Sequence, residues 1–124
     1  MATKFSEIPW DCDFYFSWWA SGSILPFIVS FLRRKKIIVV VGGNEGMFYK
    51  DSLSGKTMGY LAAPWYKKLA VRITVRFSDK VIIVSDFMEK DVIKLGAKKI
   101  VRIYNSVDTE KFSPKMTARK EIIT

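Results

Sequence analysis

The chain has 124 residues and 14.3 kDa, with 21 Lys plus Arg, 12 Asp plus Glu and no histidine, which is enough for one core and too little for two domains. The lack of histidine excludes an imidazole general base, a Ser-His-Asp triad and His-containing zinc sets, while 49% hydrophobic and 15% aromatic residues argue against disorder. The formal charge of +9 divides into −2 over residues 1–32 and +11 over residues 33–124, so the basic part either faces an anionic partner or keeps the protein soluble.

Acid–base chemistry falls to a carboxylate, Cys12, a lysine, a tyrosine or another chain. Cys12 is the single cysteine, which excludes an internal disulfide or CxxC site and fits an intracellular location. Residues 1–13 hold three acids and one lysine, so no signal peptide is read there. Phe14 to Leu32 is a run of 19 uncharged residues followed by Arg33, Arg34, Lys35 and Lys36. Length and basic flank fit a transmembrane helix. The Ser21-Gly22-Ser23 cluster and Pro26 instead divide the run into an aromatic buried strand, Asp13 to Trp19, and a helix, Ile24 to Leu32. The divided reading is preferred; an anchored membrane protein is the alternative.

Ile37 to Val41 is a β-branched run stopped by Gly42 and Gly43, as in a strand buried on both faces. Asn44 to Gly59 reads as a mobile loop. Trp65 to Ser78 fits either an alternating strand or a helix. The helix gives one apolar stripe, Tyr66, Leu69, Ile73 and Phe77, and a basic row, Lys68, Arg72 and Arg76. It is chosen because two parallel strands need a crossover. Lys80 to Val84 is the next strand. Ser85 then caps a helix carrying Met88, Val92 and Leu95, which Gly96 stops. Lys99 to Tyr104 is a short strand closed by Asn105. The order is that of an α/β fold, a Rossmann-like open parallel sheet with crossover helices over residues 1–112, followed by a linker or tail over 113–124.

Ligands of such a sheet sit at the carboxyl ends of its strands, here Trp18 to Ser23, Gly42 to Gly46, Ser85 to Asp86 and Asn105 to Asp108. Gly42-Gly43-Asn44-Glu45-Gly46 matches neither the P-loop nor the dinucleotide fingerprint. It is a flexible turn, or it offers amides to a sugar or phosphate oxygen with Glu45 accepting from a hydroxyl. Asn105 and Asp108 build an Asx turn. Lys68, Arg72 and Arg76 beside Trp65 and Tyr66 fit a headgroup-facing amphipathic helix, or a solvated basic face. No RNP, KH or zinc pattern supports nucleic-acid binding, and no metal site is read.

The run SDKVIIVSDFMEKDVIKLGAKKIVRIYNSVDTEKFSP, Ser78 to Pro114, together with RRKKIIVVVGGNEG, resembles the end of the N-terminal, acceptor-side domain of GT-B fold glycosyltransferases of family 4. The resemblance covers about residues 13–114. It implies that Gly42, Gly43, Asn44 and Glu45 border the acceptor side of a cleft, that Ser85 lies at its floor, and that Asn105, Ser106 and Asp108 form the turn into an interdomain linker. Ser106 stands where the family usually has glycine. At Gly42 many members carry a histidine implicated in catalysis, so that part of their mechanism does not transfer, and the catalytic residues stay unassigned. Family members also have earlier strands and a second domain holding the nucleotide-sugar donor. The resemblance therefore implies a partial GT-B N-terminal domain that needs a donor-binding domain or separate subunit to transfer sugar and holds no cofactor of its own. A cytoplasmic place at the inner membrane face, on an anionic surface, is expected, as is homodimerisation through exposed sheet edges. A non-catalytic interaction module is the competing expectation.

Overall fold

The computed structural model describes residues 5–50, 55–108 and 111. Its main elements are β1 (Phe14–Trp18), α1 (Ile24–Leu32), β2 (Lys36–Val41), β3 (Phe48–Lys50), β4 (Thr57–Gly59), α2 (Trp65–Phe77), β5 (Lys80–Ile83), α3 (Glu89–Lys94) and β6 (Ile100–Arg102). Four strands pair in parallel in the order β1-β2-β5-β6. This is the expected open parallel α/β sheet. The long uncharged run is a strand, a short 3-10 turn (Ala20–Gly22) and a nine-residue helix. Among the described residues no helix is long and apolar enough to cross a membrane.

Each step along the sheet goes the same way, and crossovers between parallel strands are right-handed, so α1, α2 and α3 share one face. Tyr15, Ile37, Val39, Val41, Val81 and Ile83 meet Val29, Val71, Val75, Met88, Val92 and Leu95 there in a single core. On the other face Val40 is buried, but Phe14, Phe16 and Trp18 are about half exposed and Ile38 and Ile82 are half-buried. The expectation of a buried first strand is corrected accordingly. As the last strand on its side, β1 buries only Tyr15 and Ser17.

The end of α1 is unusual. Arg34 takes φ +52, and the bonds Lys35 N–H to Ser30 O and Arg34 N–H to Phe31 O close the helix in a Schellman motif. Glycine is usual at that left-handed position; arginine costs about 1 kcal/mol or more there. α2 is a helix, as the crossover demanded, but the stripe of Tyr66, Leu69, Ile73 and Phe77 is not its buried face. Val71, Thr74 and Val75 are buried, while Tyr66, Leu69 and Phe77 are exposed. Small β-branched side chains let the helix approach the Ala20–Gly22 turn closely, and the bulky stripe is left outward.

The expected loop over Asn44 to Gly59 is also corrected. A 3-10 turn (Gly43–Gly46) leads into β3, which pairs antiparallel with β4, Phe48 opposite Gly59; residues 51–54 of the expected loop lie outside the described residues. The Phe48 and Tyr60 rings stack at 4.9 Å, and the Phe48 amide donates to Asp91 Oδ2 at 2.9 Å. Apolar packing and one charged acceptor thus fix a segment whose sequence reads as polar. After β5 a 3-10 turn (Asp86–Met88) precedes α3, and Gly96 at φ +99 ends it. The tail from Ser113 lies outside the described residues.

Candidate functional site

Because the strands are parallel, the four segments singled out in the sequence all follow strand carboxyl ends and share one rim. Its geometry is most defined where the β1 and β2 loops meet. Glu45 reaches back across the rim: one carboxylate oxygen accepts the Ala20 amide and the other accepts the Ser21 amide at 2.9 Å. These are the free amides of the Ala20–Gly22 turn, so a carboxylate suits them as acceptor and as charge. From below, Thr74 Oγ1 lies 3.0 Å from Ala20 O and 2.9 Å from Ala70 O, so its one proton is shared between this turn and its own helix.

This clamp presents two indoles. Trp18 and Trp19 are 48% and 43% exposed. Trp19 takes φ +77, uncommon outside glycine. It is held there by its amide on Val40 O at 3.0 Å and by Ser23 Oγ, 2.7 Å from the Trp19 carbonyl. The Ser23 hydroxyl, donating to that carbonyl, is also 2.7 Å from Ser17 Oγ and accepts from it. A strained residue so firmly held is the kind of outlier that marks a site. The two glycines are part of the same arrangement. A Cβ at Gly42 would come 3.4 Å from Trp18 Nε1 and from the Trp19 ring; one at Gly43, whose φ is +63, would come 3.1 Å from that ring. The glycine pair thus lets the loop backbone lie directly against the indoles.

Ser85, at the end of β5, does not cap the following turn: its Oγ is buried and, among the described residues, has no hydrogen-bond partner. The capping expectation is corrected. The turn begins with the Met88 amide on Ser85 O, 3.3 Å away, which leaves the hydroxyl unused. Next to it, Asp86 Oδ1 joins β5 to β6, accepting from Arg102 Nε at 2.8 Å and Tyr104 Oη at 2.9 Å. Arg102 also pairs with Glu89 at 2.8 Å.

Asn44 lies within the Gly43–Gly46 turn. Asn105, Ser106 and Asp108 follow β6 on the exposed surface. Asp108 Oδ1 accepts the Lys111 amide, three residues on, at 3.1 Å. Ser106 is not left-handed, so serine in place of the family's usual glycine carries no left-handed strain there. Lys68, Arg72 and Arg76 are not on the rim but along α2. The sequence reading missed Trp19 as the strained centre of the site and Thr74 as its support. A glycine pair following strand β2 signalled a close approach, but nothing local showed that the tryptophans were what approached.

Residues 12–111 match the family model described as Glycosyltransferase Family 4. No curated protein matches the chain.

Proposed function

The chain belongs to glycosyltransferase family 4, and on that premise we propose that it is the acceptor-side part of a glycosyltransferase, binding a saccharide on its rim and relying on a donor-binding domain or subunit for the nucleotide sugar. The observation that carries this reading is the pair of half-exposed indoles held against the Gly42–Gly43 backbone. Indole faces stack on the apolar faces of sugar rings, while few and well-placed polar groups fix orientation. Those groups would be the loop amides, the remaining lone pairs of Glu45 and the unpaired Ser85 hydroxyl. The Ser85 hydroxyl is buried, so a ligand oxygen would reach it only with a shift of the rim around it.

In the complete enzyme the sugar would pass from its phosphate leaving group to an acceptor hydroxyl. The donor half would stabilise the departing phosphate charge, and this chain would hold the acceptor oxygen at the rim, with the turn Asn105 to Asp108 leading toward that half. Alone, the chain should bind without turnover.

Tryptophan fluorescence tests the reading. Titration of the full chain with a panel of oligosaccharides should quench emission with at least one of them, and Trp19→Ala should abolish the response. No response to any saccharide overturns acceptor binding at this rim. Sugar transfer from a nucleotide sugar by the purified chain overturns its dependence on a donor half.

A further inference from the structure

The outer faces of α1 and α2 combine two features that a solvent-facing surface rarely joins. First, they leave large apolar side chains open: Phe31 (74%), Leu32, Trp65 (76%), Tyr66, Leu69 and Phe77 are all exposed. Exposed apolar patches of this extent mark interaction surfaces. Second, Arg34 and Lys35 just after α1 and Lys67, Lys68, Arg72 and Arg76 on α2 supply six cations, and residues 24–35 and 65–77 hold no acid. Among the described residues none of the ion pairs involves them.

The features converge at the ends of the two helices. A groove of about 570 Å³ opens there between Phe27, Phe31, Ile37, Ile73 and Phe77, with Arg34 and Lys35 at its wall. Its one acid, Asp79, accepts the Ile37 amide at 2.9 Å. Arg34 is held beside the groove in the left-handed conformation that glycine usually takes. We propose that this α1–α2 face is a docking surface for an anionic lipid bilayer, with the apolar side chains entering the headgroup–acyl boundary and the cations meeting lipid phosphates.

Charge and apolar character together select this occupant. A second copy would bring six cations against six. A nucleic-acid strand would use the cations and the aromatic rings but would leave Leu32 and Leu69 without a counterpart. Helices that follow parallel strands run back from the rim, so Trp65 lies near the rim and Phe31 and Phe77 near the opposite end. Docking by this face leaves the rim open to one side. The inference stands apart from the sugar-binding reading, since it uses different residues on a different surface.

Co-sedimentation of the full chain with phosphatidylcholine vesicles, with and without phosphatidylglycerol, tests it. Binding should require the anionic lipid and weaken as salt is added. The triple variant Lys68→Gln, Arg72→Gln, Arg76→Gln should bind at least about tenfold more weakly. Phe31→Ser, which keeps the charge, should also lose several-fold. Arg34→Gly should raise thermal stability and weaken vesicle binding, an opposition that a purely structural arginine would not produce. Equal binding to both vesicle types, or charge variants that bind like the parent, overturns the proposal. So does a single-stranded oligonucleotide that displaces the vesicles while Phe31→Ser has no effect.

Discussion

The Glu45 carboxylate accepts the Ser21 amide at 2.9 Å although 24 residues separate them, so the loop after β2 is fastened to the loop after β1 and the tryptophan-bearing rim becomes one unit. Charge-assisted bonds of this kind contribute about 1.5–3 kcal/mol each, less where water reaches them. Glu45→Ala should therefore lower stability by about 2 kcal/mol, and Glu45→Gln, with a single acceptor oxygen, by about half that. The denaturation midpoint should fall with an unchanged slope.

Gly43→Ala should cost more than Gly55→Ala. Both positions are left-handed, at φ +63 and +66, but a Cβ at Gly43 lies 3.1 Å from the Trp19 ring whereas one at Gly55 has nothing within 4 Å. The shared backbone cost is about 1 kcal/mol. The excess at Gly43 measures the indole contact, and tryptophan emission should shift only in that variant.

Thr74→Val keeps the shape of a fully buried side chain and removes its hydroxyl from Ala20 O at 3.0 Å. A loss of about 1–2 kcal/mol is expected. Amide exchange should speed up at Ser23, whose N–H bonds to Ala20 O at 3.2 Å, while the β5–β6 ladder stays protected.

Burial pushes the Tyr15 phenol pKa up, helped by its neighbour Cys12 and opposed by Arg33. The folded state then holds the proton more tightly than the unfolded chain, whose phenol titrates near 10. The stability linked to Tyr15 is complete below about pH 10 and disappears as pH rises through the raised value. Thermal melts from pH 8 upward should show a steeper alkaline decline for the parent than for Tyr15→Phe. The substitution also removes the bond to Pro9 O at 2.8 Å, so the variant should be less stable at pH 8.

The free edge of β1 should drive self-association. Trp19 N–H points to β2, so by alternation the backbone groups of Phe16 and Trp18 face outward, and among the described residues no strand pairs with them beyond β1. Trp10, Phe14, Phe16, Trp18 and Trp19 are each about half exposed. At about 200 Å² per aromatic side chain, two copies would bury about 1,000 Å², near the lower bound for a specific interface. Analytical ultracentrifugation should find the average mass rising above 14.3 kDa with concentration, and Phe16→Lys should hold it at the monomer value.

The parallel sheet and its rim were legible because β-branched runs such as Ile37 to Val41 and Val81 to Val84 have few other stable arrangements, and parallel pairing forces a crossover. That requirement decided Trp65 to Phe77 against its alternating pattern. The family, too, was readable from Ser78 to Pro114. The pairing of β3 with β4 was not, because Asp91 and Tyr60, which hold it, are brought there only by the fold.

Sequence alone determined which segments are apolar, where glycines break them and how charge divides along the chain, since these are properties of short stretches and their periods. Tertiary structure decided which apolar side chains are covered. Successive right-handed crossovers in one direction put all three helices on one face, which left Phe16 and Trp18 open on the other. Close packing of Val71 and Thr74 turned Leu69 and Phe77 outward. Glu45, Trp19 and Ser85 took their present roles for the same reason: each depends on neighbours distant in sequence, and local patterns hold no information about those.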